Sequence, residues 1–269
     1  KIKYKHERSE PDYNYSNFYL HNRYEIYFFI SGSVNYFIEK KMYPLKFGDL
    51  LIIRNNEIHK PSFLDNSLYE RIVIHFDPSI PQIFNTKNYD LLNCFINRPA
   101  GENNRINLSE KQKQEIWNIF RRLEILEKEA SEESKILKLT VFIELLVFIN
   151  KAFSQNTSDE FEDMPKRLLP ILEFIDNNLE GDLSLKRLEK EFFINGSYLS
   201  RIFKNQTGRN VHEYITYKRI SKEKTLISKG FSCTEACLMS RFNDYSNFSK
   251  VFKKTVGLSP LSYKKRSSI

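Results

Sequence analysis

Two short strings of the sequence carry the same side chains at the same places. SRIFKNQTG begins at Ser200 and SKVFKKTVG begins at Ser249, and each has a serine, a phenylalanine, a lysine and a glycine in register. Arginine and lysine side chains bind phosphate oxygens, and an arginine can also bind the edge of a guanine base. The repeated strings therefore indicate contact with a polyanion, made twice by one chain.

Each string lies on a predicted helix that follows a shorter helix after a tight turn. Apolar residues recur at i, i+3 and i+4 and predict the buried face of each helix. They are Leu199, Ile202 and Phe203 in the first string and Phe248, Val251 and Phe252 in the second. The polar and cationic side chains then project to the opposite face, which is the geometry of a helix-turn-helix unit. The alternative is a pair of ordinary amphipathic hairpins in a helical bundle.

The charge of the chain is concentrated at its C-terminal end. Residues 1–165 carry 22 Lys/Arg and 24 Asp/Glu, a net charge of −2, whereas residues 166–269 carry 20 and 10, a net charge of +10. A basic part attached to a nearly neutral remainder is typical of a polyanion binder joined to another module. A basic face is also found on plain solvated surfaces, so charge alone leaves both interpretations open.

The elements that must position these residues fall into two groups. Strand-like runs YEIYFFI (24–30), SVNYFIE (33–39), DLLIIR (49–54) and YERIVIHF (69–76) follow one another without helices, with turns at residues 31–32 and 39–41. They predict an antiparallel barrel or sandwich. Helices are predicted over 109–129 and 132–153, and again near 166–179, 184–192, 197–206, 210–228, 233–240, 245–255 and 260–266. Capping boxes are predicted at Ser109/Gln112 and Ser232/Glu235.

These patterns predict an α+β protein of two domains. The first, 1–153, is expected to be an antiparallel β-barrel with a helical element. A polar, acidic linker covers 154–165, and an all-α domain covers 166–269. Three cysteines, no run of about 18 apolar residues and no secretory leader predict a soluble cytoplasmic protein without a membrane segment.

Residues 183–265 resemble the tandem helix-turn-helix domain of AraC/XylS-type transcription regulators. The motifs that carry the resemblance are YLSRIFKNQTG, EYITYKRI and RFNDYSNFSKVFKKTVGLSPLSYKK. In the last motif the residues in register with the family signature are Phe242, Asp244, Ser246, Phe248, Phe252, Lys253, Gly257, Pro260 and Tyr263. The family implies two helix-turn-helix units, joined by one long helix, that enter successive major grooves about 34 Å apart.

The resemblance also implies roles for single residues. Those expected to face DNA bases are Ser197, Ser200, Arg201, Tyr245, Ser246, Ser249 and Lys250. Those expected to contact phosphates are Lys204, Lys253 and Lys254. For each lysine the alternative is a solvated side chain. Because serines read little by themselves, specificity is expected to depend on Arg201, Lys250 and DNA shape.

The sequence departs from the family pattern at three places. Glu189 stands where a small residue normally packs, Arg241 replaces the usual glycine of the second turn, and Asn247 replaces the usual aromatic residue. A residue other than glycine at Arg241 is therefore expected to take a positive φ. Cys233 and Cys237 are interpreted as core residues, with a redox pair or half of a metal site as the alternative.

The segment 21–63 resembles the cupin-type sensor barrel found at the front of many members of this family. The cues are His-x-x-x-Glu at His21/Glu25, SGSVNYFIEKKMYPLKFGDL, and NNEIHKP ending after His59. In such a barrel alternate strand residues face the interior. The candidate ligand-binding residues are His21, Glu25, Tyr27, Tyr36, His59 and His75. Aromatic walls with a few polar groups suit a small polar ligand.

Metal-binding cupins use two histidines and a glutamate from one motif and a histidine from another. Here Tyr19 stands in place of the first histidine, which leaves His21, Glu25 and His59. Three such ligands could hold a metal, but the same residues could hydrogen-bond to one another. No metal or cofactor and no catalytic residue is predicted, and a metal-binding cupin enzyme or sensor with an accessory basic domain remains the alternative.

The helices at 109–129 and 132–153 look like the family's dimerisation element, although the second could also pack on its own barrel. The predicted function is that of a sequence-specific transcription regulator, an activator controlled by a small ligand of unknown identity. Its expected partners are double-stranded DNA, RNA polymerase and a second copy of the chain. A DNA-binding regulator without a small-molecule effector is the other alternative.

Overall fold

The computed structural model describes residues 2–11, 23–55, 57–155, 162–163, 167–207, 209–242 and 244–267. The strands are β1 (Lys3–Ser9), β2 (Tyr24–Ser31), β3 (Val34–Ile38), β4 (Lys41–Pro44), β5 (Leu50–Ile53), β6 (His59–Phe63), β7 (Tyr69–Phe76), β8 (Arg105–Ile106) and β9 (Glu162–Asp163). The helices are α1 (Ser79–Gln82), α2 (Asn93–Ile96), α3 (Glu110–Lys128), α4 (Glu132–Ser154), α5 (Leu169–Asn177), α6 (Leu185–Phe192), α7 (Gly196–Thr207), α8 (Val211–Ser228), α9 (Cys233–Met239), α10 (Tyr245–Val256) and α11 (Pro260–Ser267).

The strands form two antiparallel sheets. One has the order β1-β7-β2-β5-β8 and the other the order β6-β3-β4-β9. We call the two sheets with helices α1 to α4 the sheet domain, and helices α5 to α11 the helical domain. The predicted α+β class is confirmed. Over the residues described, however, no ladder joins one sheet to the other, so the predicted barrel is open rather than closed.

The central strands of the five-stranded sheet, β2 and β5, are buried on both faces, which explains their nearly continuous apolar sequences. Ile26 and Phe28 of β2 face the cluster that contains Phe120 of α3 and Phe142 of α4. Tyr27 and Phe29 face the opposite way, into a second cluster between the sheets. Strand β2 therefore packs against α3 and α4 with one face and lines the space between the two sheets with the other.

Helix α4 packs on its own sheet through its C-terminal half. Val141, Phe142, Leu145 and Ile149 are buried in the cluster shared with the five-stranded sheet. Helix α3 begins at the predicted capping box, in which Ser109 and Gln112 each bind the other's backbone. The buried face of α4 therefore packs on the chain's own sheet, as the alternative to a purely dimeric role predicted.

The helices of the helical domain agree with the predicted ones to within a few residues at each end. A single cluster unites Leu199 and Phe203 of α7 with Phe248 and Phe252 of α10. Helix α9 begins at the predicted capping box of Ser232 and Glu235. The sequence patterns did not predict β1, β4, β6, β8, β9 or the short helices α1 and α2.

The two domains share apolar packing. Phe37, Met42 and Ile58 of the sheet domain belong to the same buried cluster as the core of the helical domain. β9, within the predicted linker 154–165, pairs with β4 at the edge of the four-stranded sheet. The predicted domain boundaries stay predictions. As far as the helices are described, none has the length and apolar composition to cross a bilayer.

Candidate nucleic-acid interface and ligand pocket

Helix α7 presents the first group of predicted DNA-contacting residues. Asn195 begins the helix, because its Oδ1 accepts hydrogen bonds from the backbone N–H groups of Ser197 (3.0 Å) and Tyr198 (3.2 Å). The Ser197 and Arg201 side chains are exposed, and Ser200 is half-buried. The Arg201 guanidinium lies 5.5 Å from the centre of the Tyr198 ring. The helix therefore offers a cation on its solvent face near its first turn.

Helix α10 presents the second group in the same manner. The Asp244 carboxylate accepts hydrogen bonds from the backbone N–H groups of Ser246 (3.2 Å) and Asn247 (2.8 Å), so it caps the helix. Tyr245, Ser246 and Lys250 are exposed and Ser249 is half-buried, whereas Phe248 and Phe252 are fully buried. The predicted phosphate-contacting residues Lys204, Lys253 and Lys254 are also exposed. Contacts of all these residues with DNA stay predictions.

The departure at Glu189 has a structural reason. Its Oε1 accepts a hydrogen bond of 2.5 Å from the backbone N–H of Gly196, the first residue of α7. A Cβ atom added at Gly196 would lie 2.5 Å from that oxygen, so a larger residue there would have to displace the Glu189 side chain. A carboxylate at a helix N-terminus is favoured by the helix dipole. Glu189 thus caps α7 instead of filling the space that a small residue would occupy.

The turn of each helix-turn-helix unit contains a residue other than glycine in the left-handed region. Arg241 has a φ of +55°, as its sequence position predicts. Phe193, in the first unit, has a φ of +50° and is 96% exposed. Cys233 and Cys237 are buried free thiols, and burial raises the pKa of Cys237 to about 11. They are core residues of α9.

The second feature of interest is an open cavity of about 400 Å³ between the two sheets. Its walls carry aromatic rings together with charges of both signs. The lining residues are Lys5, Glu7, Ser9, Glu10, Glu25, Tyr27, Tyr36, Lys60, Pro61, Phe63, Tyr69, Arg71, Val73 and His75. The cavity therefore brings together four of the six predicted ligand-binding residues.

Glu25 is the centre of the polar groups in this cavity. Its Oε2 lies 2.9 Å from Nε2 of His75 and 3.3 Å from Nε2 of His59, and Tyr36 donates a long hydrogen bond of 3.4 Å to its Oε1. Burial by itself would lower the pKa of His59, but Glu25 and Glu57 together raise it. His59 is fully buried behind Glu25, so it supports the wall rather than lining it.

The remaining predicted residues divide into two cases. Tyr27 lines the cavity, and its hydroxyl lies 2.6 Å from that of Tyr69; burial raises its pKa well above the usual value. His21 lies outside the described residues, and so does Tyr19. Among the side chains whose positions are described, no group of three or more histidine, cysteine, aspartate or glutamate residues is arranged to hold a metal ion.

Sequence reasoning missed the charged wall of the cavity. The Arg71 guanidinium donates to Glu7 Oε2 (2.9 Å) and to Ser9 Oγ (3.0 Å) and lies over the Tyr69 ring at 4.3 Å. Lys60 lies on β6, where burial and the nearby charge of Arg209 lower its pKa to about 8. Arg71 lies on the same face of β7 as His75, so alternation along that strand is the signal that could have identified it. Nothing in the sequence indicated that β1 and β6 would supply the opposite walls.

Comparison with known proteins assigns both domains. The chain matches the family "AraC-like ligand binding domain" over residues 4–146 and the "Helix-turn-helix domain" over residues 188–266. It is 22% identical over 252 residues to the HTH-type transcriptional activator RhaR of Mannheimia succiniciproducens, covering 91% of this chain and 86% of that protein. It is 30% identical over 170 residues to the activator Btr of Bacillus subtilis, covering 62% of this chain and 32% of that one.

The solved structures that resemble it include ToxT from Vibrio cholerae, with a TM-score of 0.41, 19% identity and 99% of both chains covered. A DNA-binding transcriptional dual regulator from Escherichia coli is 23% identical over 41% of this chain and 98% of that one, with a TM-score of 0.37. The family match extends over more than half of the chain and includes both the cavity and the paired helices. This chain therefore belongs to the AraC family of transcription regulators.

Proposed function

We propose that this protein is a sequence-specific transcription activator controlled by a small polar ligand that binds in the cavity between its sheets. The observation that carries the proposal is that α7 and α10, two separately capped helices of a basic domain, both expose polar and cationic side chains. The same chain holds a cavity of ligand size in its other domain. The relatives named above are transcription activators, which supports activation as the output.

In this proposal α7 and α10 enter successive major grooves. Arg201 donates two hydrogen bonds to O6 and N7 of a guanine, and Lys250 binds a second base edge. Tyr245 and the serines fill the groove between them, while the three lysines at the ends of the helices bind phosphates. An α8 of 18 residues is about 27 Å long, a length suited to separating two helices by one turn of DNA.

The ligand acts in this proposal by binding one arrangement of the two domains more tightly than another. The cavity offers tyrosine rings for apolar contact and offers Glu25, Arg71 and His75 for hydrogen bonds. Because Arg71 already pairs with Glu7, and Glu25 with His75, a ligand that carries hydroxyl or amide groups would not need to separate these pairs of side chains.

Selection of bound fragments from a random DNA pool tests the DNA-binding half of the proposal. The selection is made at about 150 mM salt, which suppresses binding to phosphates alone. The chain is compared with an Arg201→Ala/Lys250→Ala variant and with a Lys186→Ala/Lys151→Ala variant as the matched control for charge. We expect a motif of two elements about one helical turn apart, lost only in the first variant. Equal enrichment by all three proteins would contradict the assignment of α7 and α10.

A thermal-shift screen of small molecules tests the ligand half. A ligand of the native state raises the unfolding temperature by mass action, and its effect disappears if the cavity is altered by Tyr27→Trp. Metal analysis of the purified chain separates the proposal from a metal-binding cupin enzyme, which needs a stoichiometric metal at its site. A screen without any stabilising compound would favour a regulator that has no small effector.

The proposal also covers the protein partners of the chain, its location in the cell and the absence of catalytic activity. We propose that the chain forms a homodimer through α3 and α4, where Ile136 (68% exposed) and Leu137 (52% exposed) lie on the surface. We propose that it contacts RNA polymerase as an activator and that it acts in the cytoplasm. It is proposed to have no catalytic activity, in keeping with the relatives, which are named as regulators.

A further inference from the structure

Glu39, in the turn between β3 and β4, joins the sheet domain to the helical domain. The side chain is 5% exposed. Its Oε1 accepts a hydrogen bond of 2.8 Å from the backbone N–H of Ile58, just before β6. Its Oε2 accepts one of 2.5 Å from Nζ of Lys218 on α8. One carboxylate therefore binds a wall strand of the cavity and the helix that connects the two DNA-reading units.

Helix α8 is held against the sheet domain at two points. Lys218 pairs with Asp176 of α5 (3.0 Å) as well as with Glu39, and Asp176 also pairs with Lys40 beside Glu39 (3.1 Å). Burial by itself would lower the pKa of Lys218, but Glu39, Tyr214 and Asp176 together raise it well above its usual value. Further along the helix, the buried Lys224 donates a hydrogen bond of 2.6 Å to the backbone carbonyl of Asn55. Charged groups buried in this way are costly unless they keep their partners.

The contact of Glu39 with Ile58 leads directly to the cavity. The residue after Ile58 is His59, whose Nε2 lies 3.3 Å from Glu25, and Glu25 lines the cavity. The next residue along β6, Lys60, lines the cavity itself. Ile58 packs its side chain in the cluster shared with the helical domain. Ile58 and the first two residues of β6 thus lead from the cluster shared with the helical domain to the ligand pocket.

The backbone at Glu39 is strained, and its surroundings hold it in place. Its φ is +55°, a value that residues other than glycine seldom adopt. Gly101 lies so close that a Cβ atom added there would be 2.5 Å from the Cβ of Glu39. Strained residues persist where neighbouring contacts over-determine them, and they cluster at switch regions. The contacts that determine this one come from both domains.

We propose that Glu39 is a positioning residue that couples occupancy of the cavity to the placement of α8. The inference rests on the proposed function and names the element through which the ligand acts. When α8 shifts on DNA, Lys218 leaves the Glu39 carboxylate, the hold on Ile58 changes, and His59 moves relative to Glu25. Conversely, a ligand that moves Glu25 or His59 would change the contact of Ile58 with Glu39, and through it the contact of Glu39 with Lys218. This follows because coupling between two binding sites is reciprocal.

The test uses the full chain with the operator fragment from the DNA selection and needs no known ligand. The chain has five histidines, so ¹³Cε1-labelled histidine gives few signals, and those of His59 and His75 report on the cavity. The variants are Glu39→Gln, which still accepts from Ile58 but loses the charge pair, Lys218→Gln, and the two combined. Lys222→Gln is the matched control, since Lys222 lies on the same helix but pairs with Glu180 within the helical domain.

We expect operator DNA, but not random DNA of equal length, to shift the His59 signal of the unaltered chain and of the Lys222→Gln variant. In Glu39→Gln and in Lys218→Gln the shift falls to less than half, and DNA affinity changes by about fivefold or more. The combined variant changes DNA affinity no more than either single variant does, because the two substitutions remove the same interaction. Far-ultraviolet circular dichroism establishes that each variant is folded, and if Glu39→Gln does not fold, Lys218→Gln carries the test.

The proposal is overturned if folded Glu39→Gln and Lys218→Gln keep the His59 shift and the DNA affinity of the Lys222→Gln control. It is also overturned if operator DNA binds the unaltered chain specifically and leaves the His59 signal in place. In that second case the DNA-binding regulator stands and only the coupling falls. Failure of the chain to select any DNA sequence would instead overturn the proposed function itself.

Discussion

Glu223 shows how far burial changes a single residue of this protein. It lies on α8 inside the second helix-turn-helix unit and is completely buried. Burial raises the pKa of its carboxyl group to about 9, and the opposing influences of Ser240 and Arg219 are smaller. At neutral pH the side chain is therefore a neutral carboxylic acid in the folded protein and a carboxylate in the unfolded chain.

This difference predicts a dependence of stability on pH. Because the folded state binds the extra proton, Glu223 contributes stability that is complete below about pH 4.5 and is lost as the pH rises toward 9. We expect the free energy of unfolding to fall between pH 5.5 and pH 7 by up to about 1.4 kcal/mol per pH unit from this group. Urea unfolding of Glu223→Gln should lack that part of the slope.

Glu235→Gln is the control for this experiment. Glu235 belongs to the same unit, is exposed, and has its pKa lowered by the hydrogen bond with Ser232, so it is ionised in both states throughout this range. Lys224, whose pKa burial lowers to about 7, works in the opposite direction above that pH, so measurements stay at or below pH 7. An unaltered slope in Glu223→Gln would show that Glu223 does not hold the proton.

The exposed cations Lys204 and Arg201 of α7 should contribute differently to DNA binding, one to affinity for any DNA and the other to the choice of sequence. Lys204→Ala is expected to weaken binding to all DNA sequences and to reduce the slope of log Kd against log salt by about 0.9, because one phosphate contact is lost. Arg201→Ala should cost about 1–3 kcal/mol on the selected operator and relax the choice of one base. Fluorescence anisotropy from 50 to 200 mM salt, on operator and random DNA, distinguishes the two effects.

Both helix-turn-helix elements place a left-handed residue at the turn that orients the second helix. In the first unit this residue is Phe193, which follows α6 and donates its backbone N–H to the Glu189 carbonyl. Its side chain is almost entirely exposed, so packing does not offset the strain. Glu189 uses its carboxylate to cap α7 and its carbonyl to end α6, and thus determines the geometry of the turn.

Phe193→Gly should therefore stabilise the protein. Glycine adopts a positive φ without the steric cost of a Cβ atom, a gain partly offset by its greater freedom in the unfolded chain. We expect roughly 0.5–1 kcal/mol of added stability in urea unfolding. Phe193→Ala removes the ring but keeps the Cβ, and it should leave stability unchanged. If alanine stabilised as much as glycine, the effect would come from the exposed ring and not from the backbone.

The elements of the helical domain were predictable because their signals are local. Apolar spacing marked α7 and α10, and capping boxes marked the beginnings of α3 and α9. Strands β1 and β6 were not predictable in this way. β1 reads KYKHERS, with polar residues on both faces, and β6 contains Pro61, which weakens a strand pattern. They become strands because β7 and β3 offer them free edges, which is information from elsewhere in the chain.

The missed strands also explain the incomplete prediction of the candidate site. Alternation along β2 and β7 identified Glu25, Tyr27 and His75, which do line the cavity. Lys5 and Glu7 come from β1, and Lys60 from β6, so the charged wall was missed together with its strands. The pairing of Glu39 with Lys218 joins residues far apart in the sequence, and no local pattern indicates it.

At the scale of the whole molecule, the outer face of α4 is notable because it exposes apolar side chains. Its inner face packs on the five-stranded sheet, while Ile136, Leu137 and Val147 remain exposed. Two copies of the chain joined there would present four DNA-reading helices in two-fold symmetry. A two-fold arrangement predicts that each full operator contains two copies of the selected motif.

Substituting an exposed apolar residue of this face by aspartate tests the proposed dimer, because a charged side chain would oppose burial in the dimer interface. Ile136→Asp and Leu137→Asp should each weaken dimerisation at least tenfold, since burying such a side chain contributes about 1.5–3 kcal/mol. Sedimentation velocity across a range of concentrations measures the shift toward monomer. Lys151→Asp, at another exposed position of α4, should leave the dimer intact. A monomer in the unaltered chain, or a dimer that survives both substitutions, would contradict the proposal.

The close approach of Gly101 to Glu39 has a consequence for genetics. A strain that carries Gly101→Ala would be expected to lose normal regulation of its target promoter, although the altered residue lies in a loop before β8, outside the cavity wall and the helical domain. The added methyl group would lie 2.5 Å from the Cβ of Glu39, so Glu39 and its contact with Lys218 would have to shift. Because a smaller residue at position 39 would keep the clashing Cβ and lose the carboxylate that holds Lys218, revertants should restore glycine at position 101 rather than replace Glu39. Such an allele would mark in a colony screen the position at which the two domains are joined.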